Sequence, residues 1–189
     1  MKKYPELENL TKIAQTLDEL KIAYYITGGF AVSQYGRNRF TADIDIVVKM
    51  QKPDIEEFSN KIRKVFPNGY IDIDLIEYAL IHKSEFNVID PESGLKIDFF
   101  ITNESVFEKS VFSRTIDKNY DYDIKFISPE DLIISKLLWF RESESTRQLE
   151  DVQSVLDLQK EIDFKYIGYW VKELKLENEW QALERLRNK

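Results

Sequence analysis

The chain has 189 residues, of which 43% are hydrophobic, 13% aromatic and 32% charged; this describes one folded domain, or one with a small appended subdomain, and excludes a disordered chain. With no cysteine and one histidine, His82, disulfides, Cys-ligated zinc, iron–sulfur clusters, thiol nucleophiles and multi-His metal sites are excluded, and a Ser-His-Asp triad would rest on a His82 that has no GxSxG-like partner. The net charge of −7 argues against broad binding to duplex nucleic acid, which relies on Lys and Arg displacing counterions.

From Pro5 to Lys21, Leu7, Leu10, Ile13, Ala14, Leu17 and Leu20 recur at three- and four-residue spacings, which predicts an amphipathic helix. Ala23 to Thr27 is β-branched and aromatic and stops at Gly28-Gly29, after which FAVSQYG predicts a short helix ending at Gly36. Asp43 to Val48 alternates acid and apolar residues before becoming fully apolar, as a strand with one polar end does. Asp54 to Val65 reads as a helix capped by Asp54, and Ile71 to His82 as a weaker helix with His82 on its surface. Phe86 to Ile89 and Leu95 to Ile101, joined through DPESG, predict a hairpin. From Ser128 the pattern turns helical. SPED resembles a capping box with Pro129 at the first helical position, LIISKLLWF follows, and three more helices are expected near 144–160, 163–174 and 177–187. The prediction is an α/β core with a mixed sheet over residues 1–127 and a C-terminal helical subdomain over 128–189.

The apolar stretch from Leu132 to Phe140 is too short and too interrupted for a bilayer span, and the acidic, Pro-containing start lacks the apolar run of a secretory signal, so a cytoplasmic protein without membrane attachment is expected. Charge is uneven. Residues 1–65 carry 11 Lys and Arg against 9 acids, residues 66–126 carry 6 against 12, and residues 127–189 carry 10 against 13.

The chemistry points to GGFAVSQYGRNRFTADIDIVV, residues 28–48. Two glycines after a strand let the backbone approach a ligand and turn its amides toward phosphate oxygens, although many such pairs are only tight turns. Asp43 and Asp45, two apart on a strand, leave one face with Cα atoms roughly 6.5 Å apart and can share hard divalent cations such as magnesium. Asp98, in LKIDFF, is the natural third carboxylate: among apolar neighbours an unpaired acid is costly, and either a metal or a nearby Arg or Lys must compensate it. The second DxD, Asp72 and Asp74, follows a Pro-Asn-Gly turn and reads as a solvated helix start. Arg37 precedes the acids in a loop where guanidinium groups suit a triphosphate, with surface solubility as the alternative account.

GG, thirteen residues, then DID, preceded by GRNRFT and followed by KIDFF, SPEDLIISKLLW and RQLEDV, resembles the nucleotidyltransferase superfamily. Within it the chain is similar to the AbiEii-like minimal nucleotidyltransferases, which include toxins of toxin–antitoxin and phage-defence systems; the resemblance covers about residues 10–160. It implies a polymerase β-like fold in which Gly28 and Gly29 hold nucleotide phosphates, Asp43 and Asp45 hold metal, and Asp98 completes the triad and helps activate the acceptor hydroxyl. Arg39 and Thr41 recur in related motifs and are expected at the nucleotide. Lys136 matches a helical lysine that family members place near the nucleotide; the alternative is a lysine snorkelling from an apolar helix. Where relatives carry Lys-Asp in a later helix this chain has Glu150-Asp151, so a site role for Asp151 lacks its lysine.

The function implied is magnesium-dependent transfer of a nucleoside monophosphate from a nucleoside triphosphate to a hydroxyl, with a two-metal site and with manganese able to substitute. The acceptor is RNA or tRNA, a protein hydroxyl, or a small molecule of the aminoglycoside type, and a cognate antitoxin is an expected partner. The competing class is a non-catalytic nucleotide sensor or protein-interaction module, against which the three acids count.

Overall fold

The computed structural model describes residues 5–38, 41 and 43–187, and the chain divides into two compact units, Met1–Phe30 with Phe40–Phe126 and Ala31–Arg39 with Ile127–Lys189. The first is built on a six-stranded mixed sheet of β1 (Ala23–Thr27), β2 (Asp43–Lys49), β3 (Glu85–Asp90), β4 (Leu95–Ile101), β5 (Ile116–Asn119) and β6 (Asp123–Phe126), in the order β3-β4-β2-β1-β6-β5. Its helices are α1 (Pro5–Glu19), α3 (Asp54–Val65), α4 (Ile73–His82) and α5 (Val106–Ser113), with α2 (Gly28–Tyr35) starting in this unit. The mixed α/β class expected from the sequence is the one found.

Strand alternation decides the two faces of the sheet. Ile44, Ile46 and Val48 of β2, Ile97 and Phe99 of β4, and Phe86 and Val88 of β3 are buried and point one way. Phe58 of α3 lies fully buried on this face, edge-on to Phe86 at 5.9 Å and to Phe99 at 5.4 Å, with Phe86 stacked on Phe99. The opposite face carries Thr27, Asp43, Asp45, Lys96 and Asp98. Tyr25, on the same side, meets Phe112 of α5 at 5.0 Å, so that end of the face is covered.

Two local details differ from expectation. Asp54 is the first residue of α3 rather than its cap; Pro53 stands at the cap, and the Asp54 carboxylate accepts from the backbone N–H of Gln51 at 2.7 Å. Residues 102–126, where hydrophobic periodicity predicted nothing, hold α5, β5 and β6. The two strands are four residues each, too short for alternation to register, and β6 gains its place through parallel pairing with β1 at Ile26 and Phe126.

In the second unit, residues 31–35 of α2 join α6 (Pro129–Ser143), α7 (Thr146–Leu158), α8 (Phe164–Glu173) and α9 (Glu177–Arg187). Ser128 caps α6, its hydroxyl accepting from the Asp131 N–H, and Pro129 sits where its missing N–H is harmless. Leu137, Val152, Val155, Ile167, Leu176 and Leu183 are buried and form this unit's core. Among the described residues no helix is long and apolar enough to cross a membrane.

On α1, Asp18 accepts a 2.8 Å hydrogen bond from the Tyr122 hydroxyl; with burial and the Asp18 charge this pushes the Tyr122 phenol up from 10.0 to about 12. A folded value above the unfolded one means that the bond's stabilisation is complete below about pH 10 and is lost as pH rises toward 12. Tyr122→Phe is therefore expected to lower the urea midpoint near neutral pH, and the gap to the wild type should narrow as pH climbs through that window.

Candidate active site

The in-register pairing of β2 with β4 assembles the acidic face. Asp43 lies opposite Lys96 and Asp45 opposite Asp98, and adjacent strands run about 4.8 Å apart. The period of two then puts all four side chains on one side of the sheet, and antiparallel pairing adds Thr27 beside Asp45 and Asn87 beside Asp98. Asp43, Asp45 and Asp98 are thus neighbours on one surface. Asp98 is only 8% exposed, and its compensating charge is a lysine: Lys96 Nζ stands 2.8 Å from Oδ1 and 2.9 Å from Oδ2. That hydrogen bond, reinforced by the charges of Asp98, Asp43 and Glu85 and opposed by burial, raises the Lys96 ammonium above its ordinary value. Among the described residues no three His, Asp or Glu side chains are arranged to hold a metal ion. Sequence reading left this lysine unnamed; the signal was its i−2 spacing from Asp98, which shares a face on any strand.

Gly28 ends β1 and opens α2 with a φ of +61°. A Cβ there would lie 1.7 Å from Oδ2 of Asp45, so the backbone and the carboxylate occupy space that only glycine leaves free. Gly29 abuts Thr41, whose hydroxyl would stand 2.9 Å from an added Cβ and donates to the Asp43 carbonyl at 3.0 Å. The glycine pair and the acid pair are therefore packed on each other, with Thr41 fixing the entry to β2. Arg39 lies outside the described residues.

The remaining predicted residues meet in the second unit. Lys136, 7% exposed, places Nζ 3.0 Å from Oδ2 of fully buried Asp151 and donates to Gln148 Oε1 at 3.0 Å. Arg37 pairs with Glu150 at 2.8 Å and lies 3.9 Å from Oδ1 of Asp151. Lys136 is therefore a buried paired charge and does not snorkel to solvent. The lysine that Asp151 lacks in its own helix reaches it from α6. Arg37, which the sequence placed in a loop beside phosphates, has its guanidinium on the acids of α7.

The second DxD serves α4. Asp72 is the cap, its Oδ1 accepting from the N–H groups of Asp74 at 2.9 Å and Leu75 at 3.4 Å. His82 is exposed at the other end of that helix, its ring 4.1 Å from Tyr78.

Comparison with known proteins gives a family and a fold. Residues 14–183 match the family model described as nucleotidyl transferase AbiEii toxin, type IV TA system. A search of curated protein sequences returns no match. Among solved structures the chain is similar to the antibiotic-resistance factor ANT(2'')-Ia, with 13% identity, 97% of each chain covered and a TM-score of 0.56. It is also similar to an antigenic nucleotidyltransferase-like protein from Paracoccidioides brasiliensis, at 20% identity over 95% of this chain and 92% of that one, TM-score 0.53. The lincosamide antibiotic adenylyltransferase LnuA matches at 16% identity over 80% of this chain and 97% of its own, TM-score 0.54. At these identities the likeness is one of fold.

Two stability experiments follow from the packing. Gly94 shares the left-handed conformation, with φ +70°, but has nothing within 4 Å of an added Cβ, so Gly94→Ala carries only the backbone cost, about 1–2 kcal/mol. Gly28→Ala should lose distinctly more in chemical denaturation, the excess measuring displacement of Asp45. Lys136→Ala leaves Asp151 buried without its closest cation and should cost on the order of 3–5 kcal/mol by the same assay, with Arg37 moderating the loss.

Proposed function

Because the chain belongs to the AbiEii nucleotidyl transferase toxin family, we propose that it transfers a nucleoside monophosphate from a nucleoside triphosphate to a hydroxyl of an RNA acceptor. The observation that carries this reading is the face on which Asp43, Asp45 and Asp98 stand side by side against the Gly28-Gly29 turn. The start of α2 supplies backbone N–H groups and a helix N-terminus for triphosphate oxygens, and Gly28 permits close approach. Thr41 holds the Asp43 backbone, and Arg39 is proposed to meet the phosphates.

Asp43 and Asp45 offer hard carboxylate oxygens from one face and would hold a magnesium or manganese ion. When bound, such an ion neutralises charge developing on the pyrophosphate leaving group. Asp98 accepts a hydrogen bond from the acceptor hydroxyl and draws off its proton as the oxygen attacks the α-phosphorus and the bond to pyrophosphate breaks. Positioning supplies much of the rate enhancement, since the protein's task is to hold hydroxyl and phosphate in line. Lys136, Arg37 and Asp151 enter as the charged tie of the second unit.

A cationic small-molecule acceptor is the second reading. Residues 66–126 carry 12 acids against 6 Lys and Arg, a balance that repels a polyanion and favours a cation. The solved structures described as ANT(2'')-Ia with adenylyl-2''-tobramycin and LnuA with lincomycin make antibiotics reasonable members of that test. As a family of toxin–antitoxin systems implies, a cognate antitoxin is the proposed cellular partner.

The test incubates labelled nucleoside triphosphates with magnesium and, separately, total RNA, total protein and an aminoglycoside, using an Asp43→Ala, Asp45→Ala double variant as control. Label on RNA that the double variant abolishes supports the first reading; label on the aminoglycoside alone replaces it with the second. Asp43→Asn should lower turnover by about 100-fold or more while the fold survives. Asp72→Asn should retain near-normal activity, because Asn caps a helix as well as Asp.

A further inference from the structure

Asp98 has both carboxylate oxygens engaged by one ammonium group, at 2.8 and 2.9 Å. Lys96 is bound into the acidic face: it sits opposite Asp43 in the β2–β4 ladder, two residues from Asp98 on the same strand, and experiences the charges of Asp43 and Glu85 as well. One divalent ion has the carboxylates of Asp43 and Asp45, on the same face, as its donors. A second divalent ion would need the oxygens of Asp98. It would have to displace a cation that is covalently tethered beside them and then remain next to it, against like-charge repulsion. Asp98 cannot swing away to escape this competition, since it is 8% exposed on a strand paired on both sides.

Resting on the metal-dependent reading above, the structure assigns Lys96 as the fixed second cation of the acidic face, so that this chain takes one divalent ion, on Asp43 and Asp45, where three unpaired carboxylates would take two. Lys96 is on this account a positioning residue: it holds Asp98 out of metal coordination and supplies positive charge in place of an ion.

The experiment counts manganese bound to the full chain in the presence of an equimolar mixture of the four α,β-methylene nucleoside triphosphates, by electron paramagnetic resonance, with the analogue mixture alone as baseline. The wild type should bind one manganese per chain with an uncoupled spectrum. Lys96→Met should bind two and show the spin coupling of ions roughly 4 Å apart, while Lys96→Arg, which keeps the charge, should stay at one. Two coupled ions on the wild type overturn the assignment outright, whether or not Lys96→Met folds. One ion on a folded Lys96→Met, verified by its thermal melt, also overturns it. No manganese on the wild type above the baseline sinks the metal-dependent reading itself, and the assignment falls with it.

Discussion

The parallel registration of β2 with β4 is the constraint on which the rest of the first unit depends. It pairs Asp43 with Lys96 and Asp45 with Asp98 on one face, and in the same ladder pairs Ile44 with Ile97 and Ile46 with Phe99 on the other. The two consequences are inseparable, because side chains alternate with period two: a slip of one residue in either strand would drive its acids into the aromatic cluster around Phe58 and expose its core residues. Packing of Phe58 against Phe86 and Phe99 thus holds the acidic face in place from behind. A strand long enough to need both a dry side and a charged side has its register chosen by the dry side, and the charged side inherits that choice.

The glycine turn is tied to the same row of residues. β1 pairs with β2 so that Thr27, its last residue, stands beside Asp45, and the chain must leave the strand and start a helix at that point. With the Asp45 carboxylate already there, the turn has no room for a Cβ, and a left-handed φ is what aims the backbone into α2. GG and DID are far apart in sequence yet meet as one packed device. Their common neighbour Thr41 links them through its hydroxyl on the Asp43 carbonyl, which explains a threonine there without any appeal to ligand.

The second unit handles buried charge by another route. Asp151 is fully buried, and such a carboxylate persists only if cations meet it. Lys136 and Arg37 do so from different segments, α6 and the residues following α2. Gly36, in that same segment, packs where a Cβ would lie 2.4 Å from Ser154 Oγ on α7, and Gln159 donates to the Tyr35 carbonyl at 2.6 Å. Residues 31–38, although they sit between two strands of the sheet in sequence, therefore group with the C-terminal helices. Nothing in their composition announces this, since FAVSQYG reads as a short helix wherever it packs.

The sequence by itself determined the elements whose signal is local. Amphipathic spacing marked α1, the apolar blocks marked β2 and β4, Ser128-Pro129 opened α6, and the turn before Asp72 separated a solvated helix start from the acids at residues 43 and 45. These depend on interactions within a few residues, where periodicity and capping chemistry operate. Only the tertiary structure decided the partners: that Asp98 is compensated by Lys96, that Lys136 crosses to Asp151, that Arg37 turns to α7, and that two four-residue strands complete the sheet beside β1. Each of these is a choice among several chemically equivalent charges or strands, and it is made by which backbones pack together, a long-range outcome to which no window of neighbouring residues is sensitive.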